Sequence, residues 1–195
     1  EQCAYVLDHT EATVAIADFL YFPDQEGKFQ PTLATGYTLS DDKLRWTFKL
    51  RPNVTMHDGS TFGAKDVKAT IERIVSGPNA NDYTHYVAIK SNVTGANVID
   101  DLTVEIVTDK PMATLVVDMP PPIASEYYNT VGEAEFKKNP KSTGPWKFVS
   151  QELNANVKYE RHEEFWDTAR KPNWKKRKPR SMPPPARLKT ATPPR

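Results

Sequence analysis

Four histidines, one cysteine and a set of carboxylates are the side chains of this 195-residue chain that could carry chemistry. A helical zinc site needs two histidines four residues apart, so that both ring nitrogens leave one helix face toward the same ion. His9, His57, His85 and His162 lie far apart and form no such pair. His162-Glu163-Glu164 places one nitrogen and two oxygen donors in a row, an arrangement that more often marks a solvated strand end than a metal site. Cys3 has no cation beside it that would turn its thiol into a nucleophile, and with a single cysteine there is no internal disulfide. Neither a glycine-rich phosphate loop nor a Gly-x-Ser-x-Gly elbow occurs. The triplets Asn53-Val54-Thr55 and Asn92-Val93-Thr94 fit a glycosylation acceptor, although the first falls inside a strand-turn phrase that already accounts for its residues.

The element that would position any such group runs from Leu44 to Val75. Leu44, Trp46, Phe48 and Leu50 alternate with Arg45, Thr47 and Lys49, which predicts a half-buried strand. Arg51-Pro52-Asn53 ends it, Val54–His57 is expected as a short second strand, and Asp58-Gly59 supplies a tight turn. From Ala64, the spacing of Val67, Ile71, Ile74 and Val75 predicts a helix, with Gly63 at its cap. Upstream, Val14–Phe22 reads as helix because alanine is frequent and the apolar run is long for a strand. Asp24-Gln25-Glu26-Gly27 is a turn, and residues 35–43 read as a polar connector. Downstream, Ser76–Asp82 is a breaker cluster, Val98–Val107 predicts strand, turn and strand, and Met112–Met119 a short helix closed by Pro120-Pro121-Pro122. A further helix carries Tyr127, Tyr128 and Phe136.

Trp46-Thr47-Phe48-x-Leu50-Arg51-x-x-Val54-x-x-His57-Asp58-Gly59, followed by Ala64-x-Asp66-Val67 and Arg73, resembles the signature of extracytoplasmic solute-binding proteins of the oligopeptide, dipeptide and nickel group, family 5. Those are the capture subunits of ABC importers. Pro31-Thr32-Leu33-Ala34, Thr143-Gly144-Pro145-Trp146 and Val157-x-Tyr159-Glu160-Arg161 through Phe165-Trp166 are similar to further landmarks of the family. The chain departs from it at His9, Ser142, Trp146 and His162, where Pro, Gly, Tyr and Asn are usual. The matched positions cover roughly residues 5–174. The resemblance implies an α/β fold: a periplasmic-binding-protein-like lobe with a mixed sheet and an inserted strand-rich subdomain, the second lobe being absent from this chain. The expected division is 1–37 and 141–169 for the first lobe, 38–140 for the insert and 170–195 for a tail.

Charge sets that tail apart. The net charge of +1 averages an acidic body, with 16 basic against 25 acidic groups over residues 1–169, and an acid-free end that holds ten Lys and Arg from Arg170 on. Seven of the 17 prolines also lie from Pro172 onward, so this end cannot build a core. A salt-sensitive contact to polyanions or an anionic membrane through Lys175–Arg180 is the alternative function, without specific reading of nucleic acid. No apolar run reaches the roughly 18 residues of a membrane span. The chain opens on Glu1, and a processed or trimmed start is expected.

Functionally, the resemblance implies a monomeric, non-enzymatic binder without cofactor or metal, in the periplasm or at the cell envelope. It would capture a peptide or similar small solute for an ABC permease. A tyrosine near positions 83–86 touches bound peptide in such relatives, which makes Tyr83 and Tyr86 the expected ligand contacts. Glu11 and Thr13, in the segment whose loops line the cleft of relatives, complete the expected set.

Overall fold

In Arg45–Leu50 (β4) the alternation is realised: Trp46, Phe48 and Leu50 are buried while Arg45 and Lys49 face solvent. The computed structural model of the protein describes residues 17–152 and 156–171. β4 lies between Ala34–Leu39 (β3) and Thr103–Thr108 (β6), and Val93–Asp100 (β5) completes a four-stranded sheet in the order β3-β4-β6-β5. The register places Trp46 opposite Leu39 and Ile106, and Phe48 opposite Tyr37 and Val104. One face is therefore a continuous apolar layer. Helix α1 (Ala64–Val75) packs against β5 and β6 and carries Val67, Ile71 and Ile74, all buried. Each such aliphatic or aromatic side chain contributes about 1.5–3 kcal/mol by leaving water.

Gly63 caps α1 with its backbone alone. Its N–H donates to Asp66 Oδ2 at 2.9 Å. A β-carbon there would stand 2.7 Å from the carbonyl oxygen of Asp101, which also accepts the Ala64 amide at 2.8 Å. The β5–β6 turn presses so closely on the helix start that no hydroxyl cap fits.

Before this sheet, Tyr21–Pro23 (β1) and Phe29–Pro31 (β2) form a hairpin about the Asp24 turn, with Gly27 at φ 81°. The expected helix over Val14–Phe22 is not formed in its described part. Phe19 and Leu20 point their carbonyls across to the amides of Leu33, Thr32 and Ala34 at 3.0–3.1 Å, and this long-range pairing overrides alanine's helical preference. The polar connector expected over 35–43 is also corrected, because β3 occupies most of it. Only Ala34 of that strand is fully buried, so an edge strand with one poorly covered face shows no clean alternation. Val54–His57 contributes a single bridge, Thr55 to Thr61, and no strand.

After α1 come a 3-10 turn at Ala80–Asp82, a second at Thr84–Tyr86, and helices α2 (Val87–Asn92), α3 (Leu115–Asp118) and α4 (Ser125–Lys138). α4 breaks at Gly132, whose φ of 76° and ψ of 174° no helix accommodates. Asp66 ties α1 to α4 by accepting from the Ser125 amide at 2.9 Å and its hydroxyl at 2.6 Å. The chain then returns through Thr143-Gly144-Pro145 into a second hairpin, Trp146–Glu152 (β7) and Asn156–Arg161 (β8). The α/β class holds. The mixed sheet does not appear among the described residues: every pairing there is antiparallel, and the strands that pair are consecutive or brought together by the β4–α1–β5 excursion, without the parallel crossover a mixed sheet needs.

Candidate functional site

Termination of α1 begins the site. Ser76 N–H closes back on Glu72 O at 2.9 Å, and the Gly77-Pro78 breaker leads into the two 3-10 turns. Lys90 reaches from α2 to the Ala80 carbonyl at 2.8 Å, which pins the loop at its middle. Tyr83 pins its far end: the ring is buried, its hydroxyl donates to Glu133, and the Arg73 guanidinium lies 4.8 Å from the ring centroid. Held in this way, the second turn presents His85 and Tyr86 with ring centroids 4.2 Å apart.

These two rings form one side of a pocket of about 190 Å³. Phe19, from the segment before β1, and Val117 and Met119, from α3 and the residue following it, form the rest with Ile89 and Asp118. Three stretches far apart in sequence therefore converge there. Burial raises the Tyr86 phenol above its ordinary range, with the Arg73 charge opposing the shift. Its hydroxyl makes no hydrogen bond among the described residues. The floor is apolar, the rim carries one carboxylate and one imidazole, and exposed Val87 and Val117 stand nearby. Such a surface suits an apolar side chain flanked by polar groups. At this volume it falls below the roughly 300–1,000 Å³ of a pocket that encloses a small molecule, and it has the size of one wall of a cleft.

The expected contacts divide. Tyr86 lines the pocket; Tyr83 lies behind it, and its hydroxyl is taken by Glu133. Glu11 and Thr13 lie outside the described residues. Phe19, Val117 and Met119 have no local pattern that would have singled them out.

A second, charged hollow of about 560 Å³ lies between the Asp58-Gly59 turn and the β7–β8 hairpin, bordered by His57, Lys147, Glu160 and Arg161. His162 is fully buried, while neighbouring Glu163 is turned outward to Arg161 at 2.7 Å. The three donors of His162-Glu163-Glu164 do not converge, and no group of three metal-ligating side chains occurs among the described residues.

Residues 28–191 match the bacterial extracellular solute-binding proteins, family 5, in the middle region of that family. The chain belongs to this family. The match extends past Trp174, where the recognisable motifs stop. Among its relatives, the glutathione-binding protein GsiB of Pectobacterium atrosepticum is 34% identical over 164 residues, covering 82% of this chain and 31% of that protein. GsiB of Escherichia coli O157:H7 is 32% identical over 154 residues, covering 75% of this chain and 29% of that one. NikZ from Campylobacter jejuni, solved in complex with Ni(L-His), superposes with a TM-score of 0.73 at 26% identity, over 84% of this chain and 33% of its own. DppA from Helicobacter pylori, solved with the peptide STSA, shares the fold at a TM-score of 0.69 and 23% identity, over 83% of this chain and 37% of its own. The family 5 chain described here thus spans about a third of the length of these relatives, with a portion of a periplasmic-binding-protein-like lobe. GsiB and DppA are named as binding proteins. No helix among the described residues is long and apolar enough to cross a membrane.

Proposed function

We propose that the chain forms one wall of a solute-binding cleft in the substrate-capturing component of an ABC importer. Its ligand would be a peptide or similar small solute, its partner a permease in the membrane, and its place the periplasm or cell envelope. The single observation that carries this reading is the pocket at Tyr86: an apolar floor, a phenol without a partner among the described residues, and a volume that suits half of an enclosure. Membership of family 5 supports it, as do the names of the relatives, one of which binds glutathione, itself a small peptide. Tyr86 is the proposed ligand contact and Tyr83 its support, and Glu11 and Thr13 stay in the proposal as contacts from the amino-terminal segment. The division into first-lobe segments 1–37 and 141–169 around an insert at 38–140 belongs to the same proposal.

Calorimetry tests it, with glutathione and a mixed pool of short peptides titrated into the chain and into a form extended to the relatives' length. The expected result is weak heat from the chain, tighter binding by the longer form, and a loss of at least about tenfold in both with Tyr86→Ala, because an aromatic contact of this size is worth about 1.5 kcal/mol or more. Silence from both forms, or a Tyr86→Ala variant that binds unchanged, would overturn the reading.

A further inference from the structure

The carbonyl of Gly144 is held by two buried histidines that come from segments far apart in sequence. His57, on the Asp58-Gly59 turn, places Nε2 at 2.9 Å from that oxygen, and His162, just beyond β8, places Nδ1 at 3.1 Å. The rings meet edge to face with centroids 5.0 Å apart. The Ser142 amide donates to His57 Nδ1 at 3.3 Å, so the His57 proton sits on Nε2 and the ring is neutral. His162 donates from Nδ1, and its Nε2 is buried with no partner among the described residues. The main chain repeats the connection, with His57 N–H on Ser142 O at 2.8 Å and His162 N–H on Pro145 O at 2.9 Å.

Each added proton would break something specific. On His57 Nδ1 it would set a donor against the Ser142 amide. On His162 Nε2 it would bury a charged N–H with no acceptor, a costly event away from water. We propose that the His57–Gly144–His162 arrangement is an acid-labile latch, which holds the Asp58-Gly59 turn against the return segment while both rings are neutral and releases it when they are protonated.

The surroundings favour the neutral form. Lys141 and Lys147 act on His57, and Lys147 and Lys171 on His162, all against a positive ring; Glu164 favours one at His162. The adjoining hollow adds Asp58, Glu160, Arg161 and Glu163, and Glu163 is engaged by Arg161 and Lys171. Burial lowers both imidazoles, His57 to about 3. In the released state both rings return to the ordinary value near 6.5. The latch is therefore at full strength above about pH 6.5 and weakens as the pH falls, by up to about a hundredfold in its opening equilibrium per pH unit when two protons are taken up together.

Amide hydrogen exchange read residue by residue on the full chain tests this between about pH 7 and pH 5, after correction for intrinsic exchange. The expected result is that from pH 7 to pH 5 the His57 and His162 amides lose protection about 600-fold, against about 25-fold in His57→Gln or His162→Gln, while amides of β4 change far less. Imidazole nitrogen shifts of the unaltered protein give a second reading that needs no variant: both buried rings stay neutral at pH 5. A flat pH dependence overturns the latch. So does an equal loss of protection throughout β4, or a buried ring that titrates near 6.5 with its amide still protected.

Discussion

Glu133 holds three parts of the chain together through one carboxylate. Arg73 of α1 pairs with both of its oxygens at 2.8 Å, Tyr83 donates from the turn that begins the candidate pocket, and Tyr128 donates from α4 at 3.1 Å. Burial by itself would raise this carboxyl, yet the Arg73 pair and the two phenols hold it down at about 2 against an ordinary 4.5. A depressed carboxyl adds stability that is complete above pH 4.5 and is lost as the pH falls toward 2. Glu133→Gln leaves Arg73, whose side chain is only 12% exposed, without its paired charge. The expected cost at pH 7 is about 3 kcal/mol in urea denaturation, shrinking as both proteins are taken from pH 4.5 toward 2. A difference near zero at pH 7, or one that grows in acid, would count against this account. Tyr83 was legible as a residue of interest only through the family resemblance, which implies a ligand-touching tyrosine near positions 83–86. That its hydroxyl is occupied was not legible, since the carboxylate that occupies it lies 50 residues on, and nothing local announces such a contact.

At the scale of elements, legibility followed how far local pattern and final burial agree. β4, α1 and β6 have an intact period, so periodicity shows them, and the Asp58-Gly59 turn shows through its residue types. β5 was legible only from Val98, because its stretch from Val93 does not alternate. β1 and β3 have no such period. Their strand character comes from carbonyls and amides paired across to other segments, and their side chains are too unevenly covered to alternate. Gly63 is the sharpest case, because capping preference alone would favour serine there by a few tenths of a kcal/mol. The Asp101 carbonyl, 2.7 Å from where a β-carbon would stand, reverses that ranking. Gly63→Ser is expected to destabilise the fold by about 2 kcal/mol, since a fixed main-chain oxygen must be displaced from the amide of Ala64. Thermal denaturation reads the effect directly, and a variant that melts at or above the parent temperature would show that the β5–β6 turn gives way at little cost.

Across the whole molecule, the first and last described segments close on each other at Asp18. Trp166 donates to this buried carboxylate at 2.8 Å and Arg170 at 3.2 Å, while the Arg51 guanidinium lies 4.3 Å from the Trp166 ring centroid. That closure keeps Phe19, the next residue, in the pocket wall beside Tyr86. It also separates two ways in which the chain could meet a partner. Contact with polyanions through the basic run Lys175–Arg180 would depend on displaced counterions and fall steeply with salt. Capture of a neutral peptide against Phe19 and Tyr86 rests on apolar contact and short-range hydrogen bonds, which salt screens little. Raising sodium chloride from about 50 to about 300 mM is therefore expected to change peptide affinity by less than about twofold, while binding to heparin or anionic vesicles drops by about a hundredfold or more. Titrations of both ligands on one preparation decide the matter. Peptide binding that collapses with salt would move recognition away from the Tyr86 pocket and onto the charged surface.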